Sequence, residues 1–202
     1  MKGLLKKEWY LQTRTGLGFL ILTGVFAIAG AGGAEMSGFF ATFAMAYIPL
    51  GVFSIFSAEE KWRWSNFVLC TPVSRVQVVL CKYIAMLCHA ALVGLIYSAA
   101  CFLFGCSEKL AQLPGLLSTP FLVGAISLPL MFRLGSEAGR VAVMFIVIFF
   151  AVVISTLMSL GVVGPDASVS MELAQKLLPA VSLALFAASV PLSAWCYRKK
   201  GK

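Results

Sequence analysis

The residue best placed to do chemistry is His89, the one histidine in the chain, which lies inside the apolar run Tyr83–Cys106. An ionisable side chain within such a run is a candidate proton or substrate site, because hydrocarbon surroundings make it costly to keep there without a role. The simpler structural interpretation is a neutral imidazole that is hydrogen-bonded to a neighbouring helix. Both interpretations remain open at the level of sequence.

The other reactive side chains do not form a catalytic or metal-binding set. The chain has eight acidic residues and six cysteines, with no C-x-x-C pair. A single histidine cannot complete a zinc site or a set of Ser, His and Asp. No G-x-x-x-x-G-K-[ST] phosphate loop occurs either. The sequence therefore predicts no enzyme activity, no metal site and no cofactor bound by this chain.

The most informative polar segment is 59–82, EEKWRWSNFVLCTPVSRVQVVLCK. Its first half predicts a short helix in which Glu59 and Arg63 lie four positions apart on one face. Thr71 and Pro72 suit the N-cap and the first position of a second helix, which would run through Arg75. We therefore expect a helix, a sharp turn and a second helix. Trp62 and Trp64 would give it an aromatic surface.

Two functions suit this segment. It is either an ordinary charged loop with tryptophans at the membrane interface, or the place where another protein grips the chain. A second polar turn contains Arg133, Glu137 and Arg140, at spacings of four and three residues. These charges predict a local ion-paired turn, with a second protein contact as the alternative.

The composition determines which elements must carry these residues. Of the 202 residues, 60% are hydrophobic and 12% are charged, and the mean hydropathy is +0.95. Soluble domains are closer to one quarter charged, so the chain is predicted to be an integral membrane protein. The net charge of +8 does not indicate nucleic-acid binding, because the basic residues form short clusters between apolar runs.

Six apolar runs are long enough to be transmembrane helices. We predict an all-α polytopic membrane protein consisting of a single transmembrane domain, 1–202, with a short helix in the segment 59–82. Glycines weaken the first run, but they also allow a neighbouring helix to approach closely. The predicted spans are 16–33, 39–58, 83–106, 113–134, 141–162 and 178–197.

The distribution of charge predicts the orientation. Fourteen of the sixteen Lys and Arg residues lie on one side of these spans, and Lys109 and Lys176 lie on the other. By the positive-inside rule both termini face the cytoplasm. Residues 2–11 combine apolar Leu and Trp residues with three lysines, which predicts an interfacial amphipathic helix that is retained rather than cleaved as a signal peptide.

The run Ala58–Tyr83 resembles the six-span permease subunits of type-2 ABC transporters, which are exporter-like. Those subunits share an acidic residue, a Trp two or three positions later, a Leu-Pro-Val-(Ser/Thr)-Arg element and a Lys-Tyr pair that enters span three. This chain has Cys-Thr where the family often has Thr-Leu before the proline. Three further patches resemble the family in order along the chain, namely Met1–Tyr10, Pro129–Arg140 and Ser193–Lys200.

The resemblance implies that two such permease subunits, identical or different, form a translocation path in a prokaryotic cell membrane. It also implies that each docks an ABC-type ATPase, which binds ATP and Mg²⁺, through the segment between spans two and three. The residues carried over to this coupling role are Glu59, Glu60, Trp62, Arg63, Trp64, Pro72, Ser74 and Arg75. A secondary transporter or channel is the first alternative, and a non-transporting membrane scaffold or immunity protein is the second.

Overall fold

The computed structural model describes residues 2–32, 36–64, 73–146 and 168–199, and these are helical apart from short turns. One stretch, Ser107–Gln112, is a 3₁₀ helix. Helix α6 begins at residue 136 and is described as far as 146. The other helices are α1 (Lys2–Thr15), α2 (Leu17–Ala31), α3 (Ser37–Lys61), α4 (Arg75–Leu103), α5 (Leu113–Leu134) and α7 (Ser168–Lys199).

Four of the described segments are long and apolar enough to cross a membrane: Ser37–Lys61, Arg75–Leu103, Ser107–Leu134 and Leu177–Arg198. They correspond to the second, third, fourth and sixth predicted spans. Helices α1 and α2 meet at an angle of 72° and would count as a fifth span only if taken together. The predicted span 141–162 lies mostly outside the described residues, so the count of six remains a prediction.

The short length of helix α2 explains why the first predicted span is the weakest candidate for crossing a membrane. Its 15 residues extend about 22 Å, which is less than the roughly 30 Å of a bilayer core. A Cβ atom on Gly30 would lie 2.6 Å from the backbone nitrogen of Ala41 on α3. This confirms that a glycine of the first span allows a neighbouring helix to approach closely, and α2 is thereby held against α3.

The core lies between α4 and the helices that surround it. Helix α4 packs against α1, α2, α3, α5 and α7, while α5 and α7 lie along each other. Fully buried core side chains include Ile48, Val52, Met86 and Tyr97. The hydroxyl of Tyr83 is 2.7 Å from both Ser189 Oγ and Ser193 Oγ, which joins α4 to α7 by hydrogen bonds.

The end of the bundle that carries the C-terminus of α3 is rich in Lys and Arg, and we call it the basic end. At the opposite end, Lys109 holds neighbouring elements together. Its ammonium donates to the carbonyl oxygen of Gly32 and, over 2.9 Å, to Ser37 Oγ. These bonds connect the 3₁₀ helix to the end of α2 and the start of α3. A buried or half-buried ammonium needs such acceptors, because leaving it unpaired in apolar surroundings is costly.

Candidate functional site

The basic end brings together residues that are far apart in the sequence. The C-terminus of α3, the N-termini of α1 and α4, the turn between α5 and α6, and the C-terminus of α7 all meet there. The segment 59–82 joins α3 to α4 at this end. Its described residues are 59–64 and 73–82, and Pro72 lies outside the described part of the chain.

Two lysines and two glutamates form a closed ion network at the basic end. Lys82 Nζ lies 2.9 Å from Glu8 Oε2 and 2.8 Å from Glu59 Oε1. Lys7 Nζ lies 2.9 Å from Glu8 Oε1 and also donates to Glu59 Oε1. Each charge therefore contacts two charges of opposite sign, and the network joins α1, α3 and α4. We refer to Lys7, Glu8, Glu59 and Lys82 as the ion network.

The ion network is largely removed from solvent. The exposed side-chain fraction is 1% for Lys82, 3% for Glu8, 12% for Glu59 and 19% for Lys7. Aromatic rings complete its surroundings, with Lys82 Nζ 5.0 Å from the centre of the Phe56 ring. Removing any one member would leave its two partners sharing a single counter-charge in the interior, and breaking a buried pair typically costs about 3–5 kcal/mol. The network thus sets the positions of α1, α3 and α4 relative to one another at this end.

Glu60 turns away from the ion network and contacts α6. Its Oε2 accepts a hydrogen bond of 2.8 Å from the backbone N–H of Ser136 and a second from the Ser136 hydroxyl. A carboxylate at a helix N-terminus satisfies unpaired N–H groups and is favoured by the helix dipole. One turn earlier, Ser57 Oγ accepts from Arg140 over 2.8 Å. The end of α3 is therefore bound to the start of α6.

Helix α3 ends differently from the prediction. It continues without a break to Lys61, and Arg63 has φ of 51°, in the left-handed region. The short helix predicted from Glu59 to Leu69 does not begin at Glu59, because Glu59 and Glu60 belong to the last turn of α3, and residues 65–69 of that prediction lie outside the described residues. Arg63 lies beyond the end of the helix, so it cannot share a helical face with Glu59. Left-handed backbone is unfavourable for a residue with a side chain and marks local strain.

The two tryptophans have different surroundings. Trp62 is 64% exposed, while Trp64 is half-buried and its ring lies 4.2 Å from Lys7 Nζ. The latter contact is a cation–π interaction that attaches the turn to α1 and the ion network. Trp62 and Arg63 are exposed at the start of the segment 59–82, as are Glu60 and Lys61 before them.

Helix α4 begins at Arg75 with Ser74 as its N-cap, and not at Thr71 as predicted. Ser74 Oγ accepts from Gln77 N over 3.2 Å, and Gln77 Oε1 accepts from Ser74 N over 3.1 Å. Serine and threonine are comparable N-caps, and the reciprocal glutamine three residues later determines which one is used. Arg75 Nη1 donates to the carbonyl oxygen of Arg198 over 3.1 Å, which joins the start of α4 to the end of α7.

The predicted ion-paired turn between α5 and α6 does not form. Arg133 and Glu137 are both exposed, and among the described residues no salt bridge connects Glu137 to either arginine. Arg140 is directed to Ser57 instead. The turn is bent at Gly135, which has φ of 92°, and this changes the helical spacing that the prediction assumed. Arg133 and Glu137 remain exposed next to the Glu60 contact.

His89 is buried at 4% exposure and connects three helices. Its Nδ1 is 2.8 Å from Gln12 Nε2 on α1, and its Nε2 is 3.4 Å from Thr23 Oγ1 on α2. With Nδ1 as acceptor and Nε2–H as donor, a neutral ring satisfies both contacts. This geometry agrees with the structural interpretation of His89, since its partners are side chains of neighbouring helices. A role of His89 in transport stays a prediction.

Sequence reasoning missed Lys7, Glu8 and Lys82 as members of the site. A signal was present for Lys82, because it follows Val78–Cys81 and precedes a further apolar run, and a lysine inside apolar sequence predicts a buried partner. The identity of that partner could not be inferred, since Glu8 is 74 positions away.

In the described part of the chain, no three His, Cys, Asp or Glu side chains lie close enough to hold a metal ion. At the basic end, polar contacts join five helices through the segment 59–82.

One comparison with known proteins identifies the class of the chain. A family model described as "ABC-2 family transporter protein" matches residues 3–198. No curated protein and no solved structure matches the chain significantly. The match includes nearly the whole chain, from the start of α1 to the last turn of α7.

Proposed function

The chain belongs to the ABC-2 family of transporter proteins, and from this membership we propose that it is the permease subunit of an exporter driven by a separate ABC-type ATPase. The family and the apolar helices make it a multi-pass membrane protein with a permease role. The proposal adds the direction of transport, pairing with a second permease subunit, and coupling through the segment 59–82. Binding of ATP and Mg²⁺ is assigned to the partner.

One structural observation carries the coupling part of the proposal. Both described ends of the segment 59–82 are bonded to other helices, at Glu59 and Glu60 on one side and at Arg75 and Lys82 on the other. Through these bonds the segment contacts α1, α6 and α7 in addition to the two helices that it joins. A displacement applied there by a partner would be transmitted to most of the bundle.

The residues that remain exposed are the best candidates for direct contact with the ATPase. Trp62 and Arg63 are exposed, and Arg75 is half-buried. Glu59 is half-buried and Glu60 is exposed, but the carboxylates of both are bonded to other groups of the chain. We therefore assign Glu59 and Glu60 to transmission, Trp62 and Arg63 to recognition, and Arg75, which is also bonded to Arg198, to both. Arg133 and Glu137 are exposed beside the Glu60 contact and would form the second contact surface.

Localisation and assembly follow from the same proposal. The protein would lie in a prokaryotic cell membrane with the basic end in the cytoplasm, where its excess of Lys and Arg is favoured. Two permease subunits would enclose the path. The described side chains do not indicate which class of substrate is transported.

The test is the double variant Trp62→Ala/Arg75→Ala, measured as ATP hydrolysis by the co-purified ATPase with and without the permease subunit. Truncating aromatic and arginine anchors at an interface costs about 2 kcal/mol or more each. We therefore expect the variant to lose most of the stimulation of ATP turnover while its membrane insertion is unchanged.

The matched control is Trp195→Ala/Arg14→Ala, which removes one exposed tryptophan and one exposed arginine elsewhere in the chain. The control should retain the stimulation. If both double variants stimulate the ATPase as strongly as the unmodified protein, the segment 59–82 is an ordinary loop and the coupling proposal is wrong. If both variants lose insertion, the tryptophans serve the membrane interface alone.

A further inference from the structure

A cleft of about 370 Å³ opens on the surface of the bundle where α1 crosses α4. Trp9 and Cys88, which line it, are exposed at the surface of the described bundle. Its size is within the range of small-molecule sites. The side chains that line it come from α1, α2 and α4: Leu5, Lys6, Glu8, Trp9, Gln12, Leu20, Ile84, Ala85, Cys88, His89 and Leu92.

The walls of the cleft are two facing stripes of side chains. On α1 the stripe includes Leu5, Trp9 and Gln12, and on α4 it includes Cys88 and Leu92. Residues three or four positions apart lie on one face of a helix, so each stripe runs along its helix axis. Most of these side chains are apolar, and the cleft between them therefore suits a hydrocarbon chain.

The charge at the rim is positive. Lys6 is exposed, and within the described ranges no salt bridge pairs it with an acid. Glu8 also borders the cleft, but Lys7 and Lys82 compensate its charge. Trp9 is 55% exposed beside Lys6. An ammonium and an indole next to an apolar groove match the headgroup and glycerol region of a lipid.

We propose that this cleft is a binding site for one anionic phospholipid of the membrane leaflet in which α1 lies. An acyl chain lies along Ala85, Cys88 and Leu92, and the phosphate or other acidic headgroup contacts Lys6. The occupant is a lipid rather than a protein, because the apolar walls of the cleft suit an acyl chain and the exposed ammonium of Lys6 beside them complements an acidic headgroup. The proposal does not depend on the coupling function.

Binding there would influence how α1 is held. Gln12, His89 and Glu8 border the cleft, and the same three residues join α1 to α4. A lipid chain that fills the space beside these bonds excludes water from them, and polar contacts are stronger in a drier environment. The composition of the surrounding lipid would thus affect the stability of the contact between α1 and α4.

Cys88 provides a direct readout, because it is exposed and lines the cleft. The full-length chain, with Cys88 as its single cysteine, is placed in nanodiscs of phosphatidylcholine with or without phosphatidylglycerol and treated with a membrane-permeant maleimide. One lysine near the membrane surface favours binding of an anionic lipid over a neutral one by about fivefold. We expect phosphatidylglycerol to slow alkylation of Cys88 by about that factor, and Lys6→Gln to abolish the difference.

The control is a matched protein with Cys106 as its single cysteine, at the opposite end of the bundle. Its alkylation should not depend on the lipid. Three outcomes would each overturn the proposal. They are equal slowing of Cys88 alkylation by both lipids, equal slowing at both cysteines, and slowing by soluble glycerol phosphate. Spontaneous crosslinking of Cys88 between two chains would overturn it as well, since a second copy would then cover the cleft.

A second measurement avoids cysteine replacement. Native mass spectrometry of the unmodified chain should retain one phosphatidylglycerol molecule in preference to phosphatidylcholine, and Lys6→Gln should remove this preference. Lys61→Gln is the comparison, because Lys61 is also exposed at the basic end but does not border the cleft. Loss of the preference in Lys61→Gln to the same extent would mean that total charge, and not this site, selects the lipid.

Discussion

At the scale of single residues, the ion network is the feature with the largest energetic consequence. Lys82 is 1% exposed and touches two carboxylates, so its charge is stable in the interior only while both are present. The partners come from α1 and α3, and a change at any one of the four residues should therefore alter the contact between three helices. A buried network of this kind specifies the arrangement of helices more than it adds to stability.

We predict that Lys82→Met lowers the free energy of unfolding by about 3–5 kcal/mol, because Glu8 and Glu59 keep their charges and share one lysine instead of two. The double variant Lys82→Met/Glu8→Gln leaves the Lys7–Glu59 pair intact and should be less destabilised than the sum of the two single changes. Thermal unfolding of the purified protein in mild detergent measures both.

Lys61→Met is the control for this comparison, since Lys61 is exposed and makes no salt bridge within the described ranges. It should change stability by less than about 0.5 kcal/mol. Strict additivity of the Lys82 and Glu8 substitutions would show that these two charges do not interact, contrary to the geometry.

At the scale of helices, the packing of α2 on α3 depends on one small residue. Gly30 has the backbone of Ala41 within 2.6 Å of where a Cβ atom would lie, whereas Gly18 on the same helix has nothing within 4 Å. Membrane helices lack a hydrophobic driving force between them and rely on close van der Waals packing. The short helix α2 therefore needs this approach to remain beside α3.

We predict that Gly30→Ala destabilises the protein by about 1–3 kcal/mol, because the added methyl group forces α2 and α3 apart. Gly18→Ala is the matched control and should be neutral or slightly stabilising, since alanine favours helices over glycine by about 1 kcal/mol. The melting temperature in detergent, followed by size-exclusion chromatography after heating, distinguishes them. Similar melting temperatures for the two variants would contradict the packing argument.

At the scale of the whole molecule, the distribution of charge predicts how the chain crosses the membrane. The basic end contains exposed charges such as Lys61, Arg133 and Glu137, and Glu108 is exposed at the opposite end. The structure puts these residues at the two ends of one bundle, so they should be accessible from opposite sides of the membrane.

We predict that single cysteines at positions 61, 137 and 202 are labelled only from the cytoplasm, and those at 108 and 166 only from outside. Position 166 tests the fifth predicted span, because residues 141–162 must cross the membrane for 137 and 166 to lie on opposite sides. Labelling in intact cells with an impermeant maleimide, before and after lysis, measures this. Outside labelling at position 61 would contradict both the orientation and the docking proposal.

The sequence by itself determined the class of the protein and the positions of most helices. Span 113–134 coincides with α5, and 39–58 and 178–197 lie inside α3 and α7. This succeeded because transfer into a bilayer depends on the summed hydrophobicity of a segment, which is a property of composition. The family resemblance could also be recognised from the sequence, because the elements that carry it, such as Thr71–Arg75 and Lys82-Tyr83, are contiguous.

The tertiary structure alone decided which charges meet. Local spacing suggested that Glu59 pairs with Arg63 and that Glu137 pairs with its neighbouring arginines, but Glu59 instead contacts Lys7 and Lys82. Such pairs are selected by helix packing, because a buried charge requires a partner that excludes water with it, and exposed neighbours in sequence offer no such environment. Residues 52 to 74 positions apart are brought together in this way, and a single sequence does not show which of its distant residues will be in contact.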